Sequence, residues 1–202
     1  IEITNIGYYP DLQHKYLVDF FSQEEKEKRD SAIKNILKER KGLIVNAESV
    51  KKDFDLFFPQ HTCHIFSLPF APICLEESWL TPYDIDVKSK YSINFQYFLI
   101  SNQFWIHKSH KTAFEALKIL TDQKGMQDIH IICTGKTEDS RFPHFIEDLT
   151  KTIENLKLKD KIHILGHIPK REQIEIMKES LGVLQPTLFE GGPGGGAVHD
   201  AI

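Results

Sequence analysis

The chain has 202 residues, 41% of them apolar, a formal net charge of −4 and a pI near 6.2. That is enough for one large domain or two small ones; it is too apolar for a disordered segment, and its charge offers no nucleic-acid groove. No apolar run reaches the ~20 residues of a membrane span, the opening residues show no basic leader, and Cys63, Cys74 and Cys133, without motif spacing, suit a reducing, cytoplasmic setting.

In chain order, "FFSQEEKEKRDSAIKNILKERKG" predicts one charged helix ending at Gly42. "LIVNA" (43–47) predicts a strand, "ESVKKDFDLFF" a short helix before Pro59, and "CHIFSLPF" a second strand. Residues 76–92 predict a linker. About two strands before a linker are few for a doubly wound domain, so its beginning is expected to lie outside this sequence.

The second half is more regular. "YFLIS" (97–101) is a continuous apolar run, as in a strand buried on both faces. "HKTAFEALKILTD" has Ala113, Ala116, Leu117 and Leu120 at helical spacing, with a stop at Gly125. "DIHIICTG" then predicts strand and turn, and "PHFIEDLTKTIENLKL" a helix with Ile146, Leu149, Ile153 and Leu156 on one face. "KIHILG" (161–166) is the third strand, "REQIEIMKESLG" the third helix and "VLQP" (183–186) the fourth strand. Strands alternating with helices predict a parallel sheet with helices on both faces, and ligands of such sheets bind beyond the strand C-ends.

Four loops should meet at that edge. The first carries Lys108, the second Gly135 and Lys136, the third His167, and the fourth, "TLFEGGPGGG", carries Glu190 and a glycine run. A glycine run between a strand and a helix start lets backbone N–H groups approach a phosphate; the plainer reading is a flexible surface loop. Neither the P-loop nor the dinucleotide fingerprint is present. Lys108 reads as the start of its helix, where a cation opposes the helix dipole unless an anion faces it; the alternative is an ordinary exposed lysine. Glu190 would repel phosphate and suits sugar or ribose hydroxyls. Asp200, one turn into the last helix, is a second candidate for hydroxyls or a solvated helix residue. His107 and His110 lack carboxylate or cysteine partners at ligand spacing, so no metal is expected, and His130, His144 and His163 read as structural or exposed.

These residues resemble a known family. "PTLFEGGPGGGAVHDAI" resembles the acidic loop of family-four retaining glycosyltransferases. "YFLISNQFWIHKSHKTAFEALKIL", "IICTGKTEDSRFPHFIEDL" and "IHILGHIPKREQIEIMKES" are similar to successive units of their nucleotide-sugar domain, and "YPDLQHKYLVDFFSQEEKEKRD" to a segment of the acceptor domain in a bacterial subgroup. The resemblance implies the GT-B fold, two Rossmann-like domains, both incomplete here. Residues 1–92 would be the end of the acceptor-side domain plus linker, and 93–202 a nucleotide-sugar domain cut short within a longer enzyme.

The resemblance implies transfer of a sugar from a nucleotide-sugar donor to a hydroxyl of a glycan or lipid-linked acceptor. The configuration is retained and no metal or other cofactor is used. The whole enzyme would be cytoplasmic, with peripheral membrane contact left open. The basic pair of the family falls on Lys108 and on Gln103, where the usual arginine is missing. The first glutamate of its acidic motif falls on Glu190. The second would fall on Val198, with Asp200 two positions later. Gly166 and His167 lie where the base is held, the amides of Gly191, Gly192, Gly194, Gly195 and Gly196 would face the diphosphate, and Asp11 and His14 fall near the acceptor cleft. Two other readings stay open: a nucleotide-sugar-binding protein of the same fold without transferase activity, such as an epimerase, and a non-catalytic interaction module.

Overall fold

The computed structural model describes residues 5–69, 81, 84–123, 126–192 and 195–201. The chain forms two compact units, Ile1–Ala71 with Phe189–Gly195, and Pro72–Leu188 with Gly196–Ile202.

Unit one is a parallel three-stranded sheet in the order β1 (Ile6–Tyr8), β2 (Gly42–Val45), β3 (His64–Ser67), with Ile6 opposite Gly42 and Gly42 opposite His64. The sequence reading expected about two strands here. It passed over β1, which is only 3 residues long and flanked by Tyr and Pro residues rather than by an apolar run. After a short helix α1 (Gln13–Tyr16), helix α2 (Gln23–Glu39) starts at a capping box. The Ser22 hydroxyl accepts from the Glu25 N–H, and the Glu25 carboxylate accepts from the Ser22 N–H. It stops at Glu39 rather than Gly42, because Gly42 already belongs to β2. Ile33 and Leu37 of α2, with Val50 and Phe54 of α3 (Glu48–Phe57), lie four residues apart. Each pair therefore faces the same way and packs on Leu43, Val45 and Ile65. A Cβ on Gly7 would come 2.8 Å from Ile36 Cγ2, so the absence of a side chain there is what lets α2 lie close on β1.

The first described helix of unit two is a single turn, α4 (Val87–Lys90), inside the stretch expected to be linker; residues 76–80, 82 and 83 of that stretch lie outside the described residues. The turn is fixed by burial of Val87 and by Lys90, whose ammonium donates to both carboxylate oxygens of Glu172 at 2.7 and 2.8 Å. Tyr91 Oη donates to the same carboxylate, which is almost fully buried. The sheet follows in the order β4 (Gln96–Ser101), β5 (Ile129–Thr134), β6 (Ile162–Gly166), all parallel. Side chains alternate across it. Ile100, Ile131 and Cys133 pack under α5 (His110–Asp122) and α6 (Phe145–Asn155). Tyr97, Leu99 and Ile132 pack under α7 (Lys170–Lys178). Helices thus cover both faces.

The fourth strand expected at 183–186 is reduced to a single parallel bridge, Val183 to Leu99. Hydrogen bonds from Leu181 N–H to Tyr97 O (2.8 Å), Leu99 N–H to Gly182 O (3.0 Å) and Leu184 N–H to Leu99 O (2.8 Å) dock this segment on the free edge of β4. Pro186 has no N–H to continue the ladder, and the Gln185 side chain is taken by Asn102 at 2.9 Å. The chain continues through helix α8 (Gly196–Asp200).

Candidate functional site

The loops leaving β4, β5 and β6 are stitched to one another by main-chain hydrogen bonds. Asn102 N–H donates to Thr134 O (3.0 Å), Phe104 N–H to Lys136 O (2.9 Å) and Gly135 N–H to Gly166 O (2.8 Å). The stitching requires a glycine at 135. Its φ is +140°, and a Cβ there would lie 2.0 Å from the Asn102 carbonyl oxygen. Gly166 is also left-handed, with φ +70°. Thr134 Oγ1 donates to Ser101 Oγ at 3.0 Å, completing a rigid polar rim.

Beyond this rim is a cleft of about 410 Å³, within the usual size of a small-molecule site. Of the residues expected from the sequence, Gln103, Gly135, His167, Gly196 and Asp200 line it. Lys136, Lys170, Asn102 and Gln173 line it too. Lys170 is the residue the sequence reading missed. It is the first residue of α7 and its ammonium is paired with Asp200 Oδ2. The signal was available: "PK" opens a helix with a cation, the same irregularity that drew attention to Lys108.

Lys108 does not line this cleft. It is 8% exposed and closes a 3-10 turn, Ile106–Lys108; Ser109, left-handed at φ 52°, separates it from α5, which begins at His110. The expected helix start at Lys108 is therefore two residues early. The His107 carbonyl accepts from Leu188 N–H (2.8 Å) and Thr187 Oγ1 (3.3 Å), fastening this turn to the segment that leads into Phe189. His110 is fully buried and stacks on Phe104 at 4.4 Å and 8°. Neither of its ring nitrogens has a hydrogen-bond partner among the described residues. Burial, reinforced by the Lys108 charge, pushes its pKa down to about 4.

In unit one, the Phe189 ring lies 5.3 Å from that of Tyr16. A Cβ on Gly191 would come 2.0 Å from Asp11 Cβ, and one on Gly192 would come 3.0 Å from Asn46 Nδ2. The first of these glycines is needed for close approach to Asp11, whose Oδ1 accepts from Gln13 N–H at 3.0 Å. Glu190 belongs to this stretch; Gly195 closes it and Gly194 lies outside the described residues. His14, expected near the acceptor cleft, is 1% exposed, with Nε2 2.9 Å from Asp30 Oδ1 and Lys15 Nζ 2.6 Å from the other oxygen. Burial lowers the His14 pKa, and the Asp30 hydrogen bond opposes that shift. His130 and His163, expected to be structural or exposed, are joined Nδ1 to Nε2 at 2.9 Å and stack on Phe95, so they belong to the packing of unit two. Among the described residues no group of three or more His, Cys, Asp or Glu is placed to hold a metal ion, and no helix is long and apolar enough to cross a membrane.

Two parallel, helix-covered three-stranded sheets, one with a cleft at its strand C-ends, match the Rossmann-like halves of the GT-B fold. Several solved structures share this arrangement. Sucrose-phosphate synthase from Thermosynechococcus elongatus superposes over 99% of this chain and 48% of its own, with TM-score 0.73 and 15% identity. HepE from Anabaena, solved with UDP and glucose, gives 0.69 at 14% identity over 96% of this chain and 49% of its own. WaaG, a glycosyltransferase involved in lipopolysaccharide biosynthesis, gives 0.69 at 14% identity over 97% and 53%. The chain therefore spans about half the length of the structures it matches. No protein-family model and no curated protein sequence matches it.

Proposed function

We propose that the protein transfers a sugar from a nucleotide-sugar donor to a hydroxyl of a glycan or lipid-linked acceptor, with retention of configuration. The observation that carries this reading is the cleft at the C-ends of β4, β5 and β6, lined mostly by residues with polar side chains, rigidly rimmed and open to a ligand, in a fold whose relative HepE was solved with UDP-glucose. In transfer, the bond between the anomeric carbon and the diphosphate breaks while one to the acceptor oxygen forms. The protein must hold the donor and stabilise charge building on the diphosphate.

Gln103 and the Gly135 backbone lie on the cleft wall, where small polar groups suit the donor's phosphates and sugar. Gly166 and His167 are assigned to the base, and Asp200 to ribose hydroxyls. Lys108 and the amides of Gly191, Gly192, Gly194, Gly195 and Gly196 are assigned to the diphosphate. Glu190 is assigned to the hydroxyls of the transferred sugar, and Asp11 to the acceptor side. His14 is held by Asp30 in the core of unit one, so its contribution there is to shape the loop that carries Asp11. Buried free thiols at Cys63 and Cys133 agree with a reducing cytoplasm. Calorimetric titration with UDP, GDP and ADP tests the donor site, and NMR of the product's anomeric centre tests retention. An inability to bind any nucleoside diphosphate, or an inverted product, would refute the respective half of the proposal.

A further inference from the structure

The cleft of unit two contains one carboxylate among its lining side chains, that of Asp200, and the structure pairs it with a residue thirty positions earlier. Asp200 is 12% exposed at its side chain and Lys170 37%, so the carboxylate is the more enclosed partner. Lys170 engages Oδ2, which leaves Oδ1 outside this ion pair. A cation as first residue of a helix is opposed by the helix dipole, and the Asp200 charge is what offsets this for Lys170. The helix that carries Lys170 is itself firmly seated. Its Glu172 is bonded to Lys90 and Tyr91, and the Tyr97 hydroxyl donates to the Ile176 carbonyl at 2.7 Å inside the core.

From this geometry we infer that Lys170 is a positioning residue: it fixes the Asp200 carboxylate through one oxygen and leaves the other outside the ion pair, and the pair thereby reads the ribose of the donor nucleotide. The inference rests on the proposed nucleotide-sugar site. A carboxylate oxygen accepts hydrogen bonds and cannot donate them. It repels phosphate, and it accepts from neutral hydroxyls. In a nucleotide sugar the ribose diol is the hydroxyl-bearing group on the nucleotide side of the diphosphate. A site built to accept a hydroxyl discriminates against the analogue that lacks it, because its own polar atom is then left unpaired. Lys170 acts through Asp200: without its ammonium the aspartate has no anchor and turns to bulk water.

The test measures affinities of UDP, GDP and ADP and of their 2′-deoxy counterparts. For whichever base binds, the 2′-deoxy form is expected to bind about tenfold more weakly to the unmodified protein. Lys170→Met should bring that ratio close to one and Lys170→Arg should restore it. Asp200→Asn should narrow it as well, with Lys170→Met adding little on top, since the two side chains act as a unit. A Lys170→Met protein that loses ribo and deoxy forms by the same factor would overturn the inference, because Lys170 would then serve the phosphates or the fold. So would an unmodified protein that binds both forms equally. A protein that binds none of the diphosphates refutes the underlying donor site instead, and the inference falls with it.

Discussion

His110 gives the sharpest prediction of stability. It sits at the first position of α5, fully buried, its ring parallel to Phe104 and tilted against Phe114. A neutral imidazole always carries one N–H donor and one bare nitrogen, and here both are buried without a partner among the described residues. Leaving such groups unsatisfied costs about 1–3 kcal/mol. His110→Phe keeps the stacking and removes both orphans, so it should stabilise unit two by about 1 kcal/mol or more at pH 7; the extra ring atom in a packed core offsets part of the gain.

The acid limb adds a second, larger signature. The pKa of His110 is about 4 in the folded protein against 6.5 in the unfolded chain. Below pH 6.5 the unfolded chain therefore binds the proton first, and stability falls as pH falls until the folded value is reached. At about 1.4 kcal/mol for each tenfold difference in proton affinity, this amounts to about 3 kcal/mol by pH 4. His130 and His163, also lowered by burial, titrate in the same direction, so the measurement is the difference between the two proteins. Urea unfolding followed by circular dichroism between pH 8 and pH 4 should show the advantage of His110→Phe widening by about 3 kcal/mol as the pH falls. A constant difference across that range would refute the claim that the ring is held neutral by burial.

Three further outcomes are expected. Gly135→Ala places a Cβ 2.0 Å from the Asn102 carbonyl oxygen at a φ of +140°; it should cost about 2 kcal/mol or more in unfolding experiments and weaken nucleoside-diphosphate binding. Glu190→Gln should lower turnover with a nucleotide sugar while leaving UDP affinity nearly intact, whereas Gly195→Val should weaken UDP itself; calorimetry and initial rates give both numbers, and the reverse pattern would contradict the roles assigned to sugar and phosphate. Transfer should survive EDTA; activity lost on chelation and restored by manganese or magnesium would show that a metal takes part.

What the sequence disclosed depended on whether a feature was local. The alternation of apolar runs with helical spacing placed β4, β5, β6, α5 and α6, because each buries side chains from its own short segment. The strand at 183–186 looked equally apolar, yet only Val183 bridges. Its termination depends on Pro186 and on Asn102 capturing Gln185, a contact across the fold. Strand β1 was invisible for the opposite reason. It is stabilised by β2 beside it and by α2 above a side-chain-free Gly7, not by an apolar pattern of its own.

The site divides along the same line. Strand C-ends and a strained glycine at 135 can be anticipated from the alternation of elements, and five expected residues do line one cleft. Charge pairing cannot, because it joins segments distant in the chain. Lys108 and Lys170 break the same rule about cations at helix starts, and the sequence treats them alike. The structure separates them. Lys170 has a carboxylate partner in the cleft and a helix anchored by Glu172. Lys108 precedes the helix cap in a buried turn tied to the segment before Phe189. An unfavourable charge at a helix end therefore points to a compensating anion without saying whether that anion belongs to the protein or to its ligand. For Lys170 the anion is the protein's own Asp200, which is why its effect should be read in ribose discrimination rather than in affinity for phosphate.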